Sequence, residues 1–412
     1  MKKNIVASLD IGTTKTCAII AERDKDNRLN IIGIGIAKSE GMTKGTVANI
    51  LTISESIKNA VDIAEEQAGI KINSVNVGVA GIYINSMRYR NFVLINNPDS
   101  LVTKADVEKL VEDVKVSRIP SDYFILHIIP EQYIVDGENV VDNPIGVMGR
   151  KLEATHHIVL AQKTSTDNLK MAVEKSGLKI NRMILQPLAS ANAVLHPEEK
   201  ELGVALIDIG GGTTDLAVYV NGTIKHTRVI GIAGSHVTND IREAFNLITE
   251  QSEKIKIEYG YATPKALVQD IEIPVRVSPV RQVTISLSIL TEIIQYRMKE
   301  LFIMIDNELK QANLKDQIKA GFVLTGGGSQ LKGCAELAEE VFSKQSRIGM
   351  PLELGGGLSK KIENPIFSTA VGLLIDGLTT ISVSREQKKE YLTPIGSFKK
   401  FFGKIYDFFK EF

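Results

Sequence analysis

The 412-residue chain has almost no cysteine: Cys17 and Cys334 are the two it contains, each inside an apolar segment. Two isolated thiols argue against a disulfide framework, and buried reduced thiols fit a cytosolic compartment. Net charge is absent too, with 49 basic against 49 acidic residues. Bulk electrostatics therefore gives no ground for nucleic-acid binding. No run approaches the ~20 apolar residues needed to cross a bilayer. A signal peptide's apolar core is missing from the N-terminal segment, because Asp10 interrupts it. A Walker-type G-x-x-x-x-G-K-[ST] loop is missing as well. These exclusions leave a chain whose body reads as soluble and is long enough for two large lobes.

What is present centres on residues 204–220. An apolar run ends at Asp208, followed by Gly210, Gly211, Gly212, Thr213 and Thr214, then an alternating strand that Asn221 and Gly222 close as a tight hairpin turn. Such a bend exposes backbone N–H groups. Glycine lets it approach a bulky anion closely, and threonine hydroxyls add donors. Asp208, ending a buried strand, suits a magnesium ion met through water. The alternative is a glycine-rich turn with no ligand.

The same pattern occurs near the N-terminus, where Asp10, Gly12, Thr13, Thr14 and Lys15 separate two apolar strands. Each copy continues into a third strand, at 29–37 and at 223–230. Self-similarity of this kind predicts two related halves, each offering an anion-gripping hairpin to a shared cleft. Two facing hairpins suit a triphosphate with its metal. A third element, residues 320–331, runs as a strand into Gly326, Gly327, Gly328 and Ser329, ahead of an apolar-periodic helix at 333–342. Glycines between strand and helix let a base or ribose lie against bare backbone. In this order the three elements resemble the actin, Hsp70 and sugar-kinase superfamily of two-lobed ATP-binding folds. The resemblance implies ATP with Mg²⁺, and Asp10 and Asp208 as the carboxylates that meet the metal's water.

Residues 53–69 read as a helix stopped by Gly69, and 75–80 as a buried strand. From about residue 84 the order departs from actin. A strand at 87–95, a helix opened by Thr103 and Asp106, and strands at 123–135 and 152–162 form a strand–helix–strand–strand insert. An insert of that order resembles the first lobe of the FtsA family of bacterial division proteins and of its PilM relatives. His156 and His157 point to opposite faces of one strand, which argues against metal ligation.

A helix at 164–177, a short strand at 180–185 and a helix from Gln186 to Leu195 follow. The resemblance makes this last helix an interlobe crossing and Gln186 the residue that positions the attacking water; the alternative is an interface glutamine. Gly234 opens a helix after the central hairpin. Glu253 and Lys256 lie within one turn of each other on the next helix. In the superfamily such a pair contacts ribose and adenine; the alternative is a solvated ion pair. A β-rich stretch at 266–287 and a long helix at 288–314, with Ile289, Ile293, Leu301, Ile305 and Leu309 as its core stripe, build a small subdomain. The family uses it to dock partners. A helix within 364–378 would be the second crossing, with Gly372 serving close packing.

The tail is of another kind. Residues 386–393 read as a flexible linker. Beyond them Phe398, Phe401, Phe402, Ile405, Phe408, Phe409 and Phe412 recur at helical spacing. At ~100° per residue they cover an arc of roughly 120°. Lys399, Lys400 and Lys404 are among the residues on the rest of the surface. Six of the chain's thirteen phenylalanines fall in these last fifteen residues. A tethered, basic, aromatic helix fits an in-plane membrane anchor. The alternative docks it on the protein's own core or in a partner's groove.

The expected fold is therefore α/β: an actin-like two-lobed ATPase fold with ribonuclease H-like halves, an FtsA-type insert in the first lobe and a C-terminal amphipathic helix. The first-lobe core takes 1–83, 164–198 and 366–385, and the insert 84–163. The second-lobe core takes 199–233 and 315–365, its small subdomain 234–314, and the membrane helix 394–412. The FtsA resemblance implies a peripheral protein on the cytoplasmic side of the cell membrane at the septum. It would tether FtsZ polymers, assemble with itself, touch anionic lipids and recruit later division proteins, with slow ATP turnover at most. Rival expectations are a PilM-like pilus assembly protein and a metabolic kinase.

Overall fold

The computed structural model describes residues 5–23, 28–117, 119–278, 281–352 and 354–376. The expected linker at 386–393 and amphipathic helix at 394–412 lie outside the described residues.

The first sheet begins as a meander of β1 (Ile5–Ile11), β2 (Lys15–Arg23) and β3 (Leu29–Lys38), paired antiparallel with Asp10 opposite Cys17. A small ribbon, β4 (Met42–Thr43) and β5 (Thr46–Val47), leads to α1 (Ile50–Ala68). Asn49 caps α1 by accepting from the N–H groups of Leu51 and Thr52, and Gly69 ends it at φ 65°. Ile53, Ile57, Ala60 and Ala64 are fully buried in the same hydrophobic cluster as β1 and β2. Gly35 allows that packing, since a Cβ there would sit 1.8 Å from the Ala60 carbonyl oxygen. β6 (Ser74–Val79) then pairs parallel to β1.

The insert contains β7 (Ile84–Leu94), α2 (Lys104–Lys115), β8 (Tyr123–Val135), β9 (Asn139–Val141) and β10 (Lys151–Gln162), with sheet order β7-β10-β8-β9. Thr103 and Asp106 close a capping box at the start of α2, as their spacing predicts. α3 (Lys163–Lys175) returns the chain to β11 (Lys179–Leu185), completing the first sheet in the order β11-β6-β1-β2-β3. α4 (Gln186–Val194) and α5 (Pro197–Leu202) lead to the second sheet.

There β12 (Val204–Ile209), β13 (Thr214–Val220) and β14 (Thr223–Ile230) repeat the meander. Asn221 at φ 52° and Gly222 at φ 70° make the tight turn. α6 (Gly234–Phe245), α7 (Thr249–Tyr259), the ribbon β15 (Glu272–Ser278) and β16 (Arg281–Ser286), and α8 (Leu287–Gln311) form the small subdomain. β17 (Phe322–Thr325), α9 (Cys334–Phe342) and β18 (Ser346–Ile348) close the sheet as β14-β13-β12-β17-β18. Both five-stranded sheets are thus three antiparallel strands followed by two parallel ones. A further helix covers residues 368–376, where the described residues end.

Two local expectations shift. Among the described residues of the β-rich stretch at 266–287, strand is confined to 272–278 and 281–286. On α8 the core stripe runs through Leu290, Ile294, Met298, Leu301, Ile305 and Leu309, while Ile289 is 51% exposed. Ser286 caps α8 one residue earlier than expected. Leu290 and Ile294 then continue the face of Leu301 at helical spacing, turning Ile289 outward.

Candidate functional site

The two bends are built alike. Gly12 donates its N–H to the Lys15 carbonyl at 2.9 Å, and Gly210 donates to the Thr213 carbonyl at 3.0 Å. They come from different sheets and meet face to face. A Cβ on Gly211 would lie 2.5 Å from Thr14 Cγ2, and one on Gly212 would lie 2.3 Å from Thr13 Oγ1. The bare glycines of the second bend make room for the threonines of the first. Thr13 Oγ1 also accepts from the Gly45 N–H at 3.3 Å, and Thr214 donates to the Ile232 carbonyl at 2.7 Å. Lys15 reaches away from its bend: Nζ donates to the Ile366 carbonyl and sits 5.2 Å from the Phe367 ring centroid.

Beneath the bends lie three buried carboxylates. Asp10 Oδ1 accepts from Gln186 Nε2 at 3.1 Å, and burial pushes its pKa up to about 6, against the pull of Lys15 and with the push of Asp208. Asp208 Oδ2 accepts from Ser190 Oγ at 2.7 Å and Thr369 Oγ1 at 3.2 Å. Burial raises this carboxyl as well. Asp215 stands opposite Asp208 in the β12–β13 register. Its Oδ1 has no hydrogen-bond partner, and burial, then Asp208 and Asp10, hold it well above the usual carboxylate range.

A carboxyl whose folded pKa is raised favours folding while it keeps its proton. In metal-free protein the Asp10 contribution is present below about pH 4 and is lost as pH rises through about 6, on the order of 1–3 kcal/mol. Urea unfolding at pH 5 and pH 7 checks this. Asp10→Asn should shrink the fall in midpoint between the two; an unchanged fall would show that Asp10 is not its source.

The second-lobe side is bound tightly to its bend. The N–H groups of Gly234 and Ser235, opening α6, donate to the Gly210 and Gly211 carbonyls at 3.0 and 2.8 Å. Lys256 Nζ donates to the Gly234 carbonyl at 3.2 Å, Thr238 Oγ1 at 2.9 Å and Glu253 Oε2 at 2.7 Å. Glu253 and Lys256 are therefore part of the α6–α7 junction rather than a freely solvated pair. Gly326, at φ 81°, lies against Asp208, where a Cβ would be 2.3 Å from Oδ1. Ser329 turns back to donate to the Gly326 carbonyl at 2.7 Å, and a Cβ on Gly328 would strike Ile209 Cγ2 at 2.4 Å. Gly327 is the open one, its nearest neighbour being Ile366 at 3.8 Å.

Sequence reading missed Asp215, Ser190 and Thr369. Asp215 interrupts an apolar strand at the position Cys17 takes in the first repeat, which was a usable signal. Ser190 follows Gln186 by one helical turn. Thr369 had no local signal, being 161 residues from Asp208.

Among the described residues no three His, Cys, Asp or Glu side chains converge to hold a metal. His157 instead meets Thr227 Oγ1 at 3.0 Å inside the insert's junction with β14. A cation between the bends would meet at most Asp10 and Asp208 of the protein, through its water, its own ligands being water and phosphate oxygens. The donor set fits such an ion: two buried carboxylates, one with a single amide donor and both raised by desolvation, gain most from a nearby positive charge. The bare backbone of Gly327 leaves room for close approach of a nucleotide, while Gly211 and Gly212 are covered by Thr14 and Thr13.

Twin sheets, facing hairpins and two crossing helices define an actin-like, two-lobed α/β fold. Solved structures agree. The PilM–PilN type IV pilus biogenesis complex matches with TM-score 0.65 and 18% identity, over 90% of this chain and 98% of that one. MreB5 of Spiroplasma citri bound to ADP matches with TM-score 0.55 and 16% identity, over 93% and 98%. The family model for the cell division protein FtsA matches residues 205–372, and that for the SHS2 domain inserted in FtsA matches 81–160. The cell division protein FtsA of Pseudomonas aeruginosa is 41% identical over 377 residues, 91% of this chain and 89% of that protein. The chain belongs to the FtsA family of cell division proteins.

Proposed function

We propose that the protein binds ATP with Mg²⁺ between its two bends and tethers FtsZ polymers to the inner face of the cytoplasmic membrane at the septum. It assembles with itself and recruits later division proteins. The observation that carries the nucleotide part is the pair of matching bends, one from each sheet, meeting over Asp10 and Asp208. Family membership and the basic, phenylalanine-rich pattern of 394–412 support the rest.

Bound magnesium would neutralise charge on the phosphate oxygens. The backbone N–H groups of Gly211 and Gly212 and the hydroxyls of Thr13, Thr14 and Thr213 would grip the phosphates, with Lys15 swinging in from Ile366. Gly326, Gly327, Gly328, Ser329, Gly234, Glu253 and Lys256 would line the nucleoside end. Because the bends touch, phosphate entry requires them to separate and reclose. Nucleotide then biases lobe closure, and with it self-assembly, through differential binding. Gln186, held by Asp10, would orient water but is no base, so any turnover is slow.

The test is sedimentation of purified FtsZ polymers with anionic vesicles and this protein, with and without ATP. FtsZ should reach the vesicle fraction only when the protein is present. FtsZ left in the supernatant at every protein concentration would overturn the tether.

A further inference from the structure

Asp10 and Asp208 occupy equivalent places in the two halves but are held differently. Asp10 takes one amide donor. Asp208 takes two hydroxyls on a single oxygen, Ser190 at 2.7 Å and Thr369 at 3.2 Å, and these hydroxyls lie 3.0 Å from each other. Ser190 is fully buried and Thr369 nearly so. The other oxygen, Oδ1, faces the bare backbone of Gly326, where no side chain fits.

The two hydroxyls come from two helices of different origin. α4 runs straight on from β11 of the first sheet, whereas Asp208 lies one residue before the end of β12 in the second. The helix at 368–376 crosses α4 with backbone contact: a Cβ on Gly372 would lie 1.8 Å from the Ala189 carbonyl oxygen. The preceding hydroxyl, Ser368 Oγ, is 2.7 Å from Thr325 Oγ1 at the end of β17, which also donates to the Gly349 carbonyl at 3.0 Å. Ser368 thus registers this helix on the second sheet, while Thr369, one residue on, reaches Asp208. A slide of either crossing helix shifts its own donor on the carboxylate.

We propose that Ser190 and Thr369 are positioning residues for Asp208, fixing the orientation of the carboxylate that would face the hydrated magnesium of a bound nucleotide. This rests on the ATP-clamp reading above. The hydroxyls never touch the ion; they set the orientation of the carboxylate that would meet its water. Partners of this kind change metal affinity by about 10–100-fold when removed. Because both sit on the crossing helices, the packing of the hinge sets magnesium affinity.

The experiment measures ATP affinity of the full chain across a series of free Mg²⁺ concentrations and in EDTA, for the native protein, Ser190→Ala, Thr369→Val and Thr369→Ser. In Ser190→Ala and Thr369→Val, the Mg²⁺ concentration giving half of the affinity gain should rise about tenfold, with affinity in EDTA unchanged. Thr369→Ser keeps the hydroxyl and should stay close to native. Thr369→Val is nearly isosteric and decides the matter alone if Ser190→Ala does not fold. An unmoved Mg²⁺ midpoint, or an equal loss in EDTA, would show that the hydroxyls only hold structure and would overturn the proposal. A native chain whose ATP affinity ignores Mg²⁺ would overturn the clamp itself.

Discussion

Cutting the chain after Tyr391 is expected to abolish its sedimentation with anionic vesicles while leaving ATP affinity intact. The removed piece carries Phe398, Phe401, Phe402, Ile405, Phe408, Phe409 and Phe412. Each phenylalanine withdrawn from water contributes roughly 1.5–3 kcal/mol. Lysines 399, 400 and 404 add about 1 kcal/mol each near an anionic surface. Phe401→Glu with Phe408→Glu is the sharper variant. It removes two of those contributions and places negative charge at the lipid, so binding should weaken by about a hundredfold or more. Nucleotide affinity should not move, because neither residue belongs to the clamp. Undiminished vesicle binding by the double variant would redirect the tail to the protein's own surface or to a partner groove.

Gly372→Val is expected to cause the largest loss of stability of any single change considered. The position lies where the helix at 368–376 crosses α4, and an added Cβ would stand 1.8 Å from the Ala189 oxygen and 2.3 Å from its carbonyl carbon. Both obstacles are backbone, so no side chain can turn aside. The helices must part. Overpacking a core ordinarily costs about 1–3 kcal/mol, and a backbone collision at a hinge belongs at or beyond the top of that range. Parting the helices also draws Thr369 and Ser190 off Asp208, so Mg²⁺-dependent ATP binding should fall with stability. Urea unfolding and nucleotide titration read the two effects. A near-native urea midpoint would mean that the two helices can part without loss and would overturn this expectation.

Much of the architecture was legible because it rests on local periodicity. The repeat of Asp10 with Gly12 and Asp208 with Gly210 announced two halves, and the sheets share one strand order. Thr103 with Asp106, and Asn221 with Gly222, act over three residues or fewer, and both formed as expected. The register of α8 was less legible. Its exposed face is apolar too, with Tyr296 73% exposed, so alternation alone could not choose between neighbouring stripes.

By itself the sequence determined the twin hairpins, the insert's helix and its three long strands though not the short β9, and the pattern of the tail, since each is a matter of spacing along the chain. Only the tertiary structure decided that the glycines of one bend lie on the threonines of the other. The same holds for Gln186 bonding Asp10 and for Ser190 and Thr369 sharing Asp208. Apart from Ser190 and Asp208, which are 18 residues apart, those contacts join residues 161 to 199 positions apart. Their geometry follows from how β1, β12 and the crossing helices pack, which no local pattern encodes.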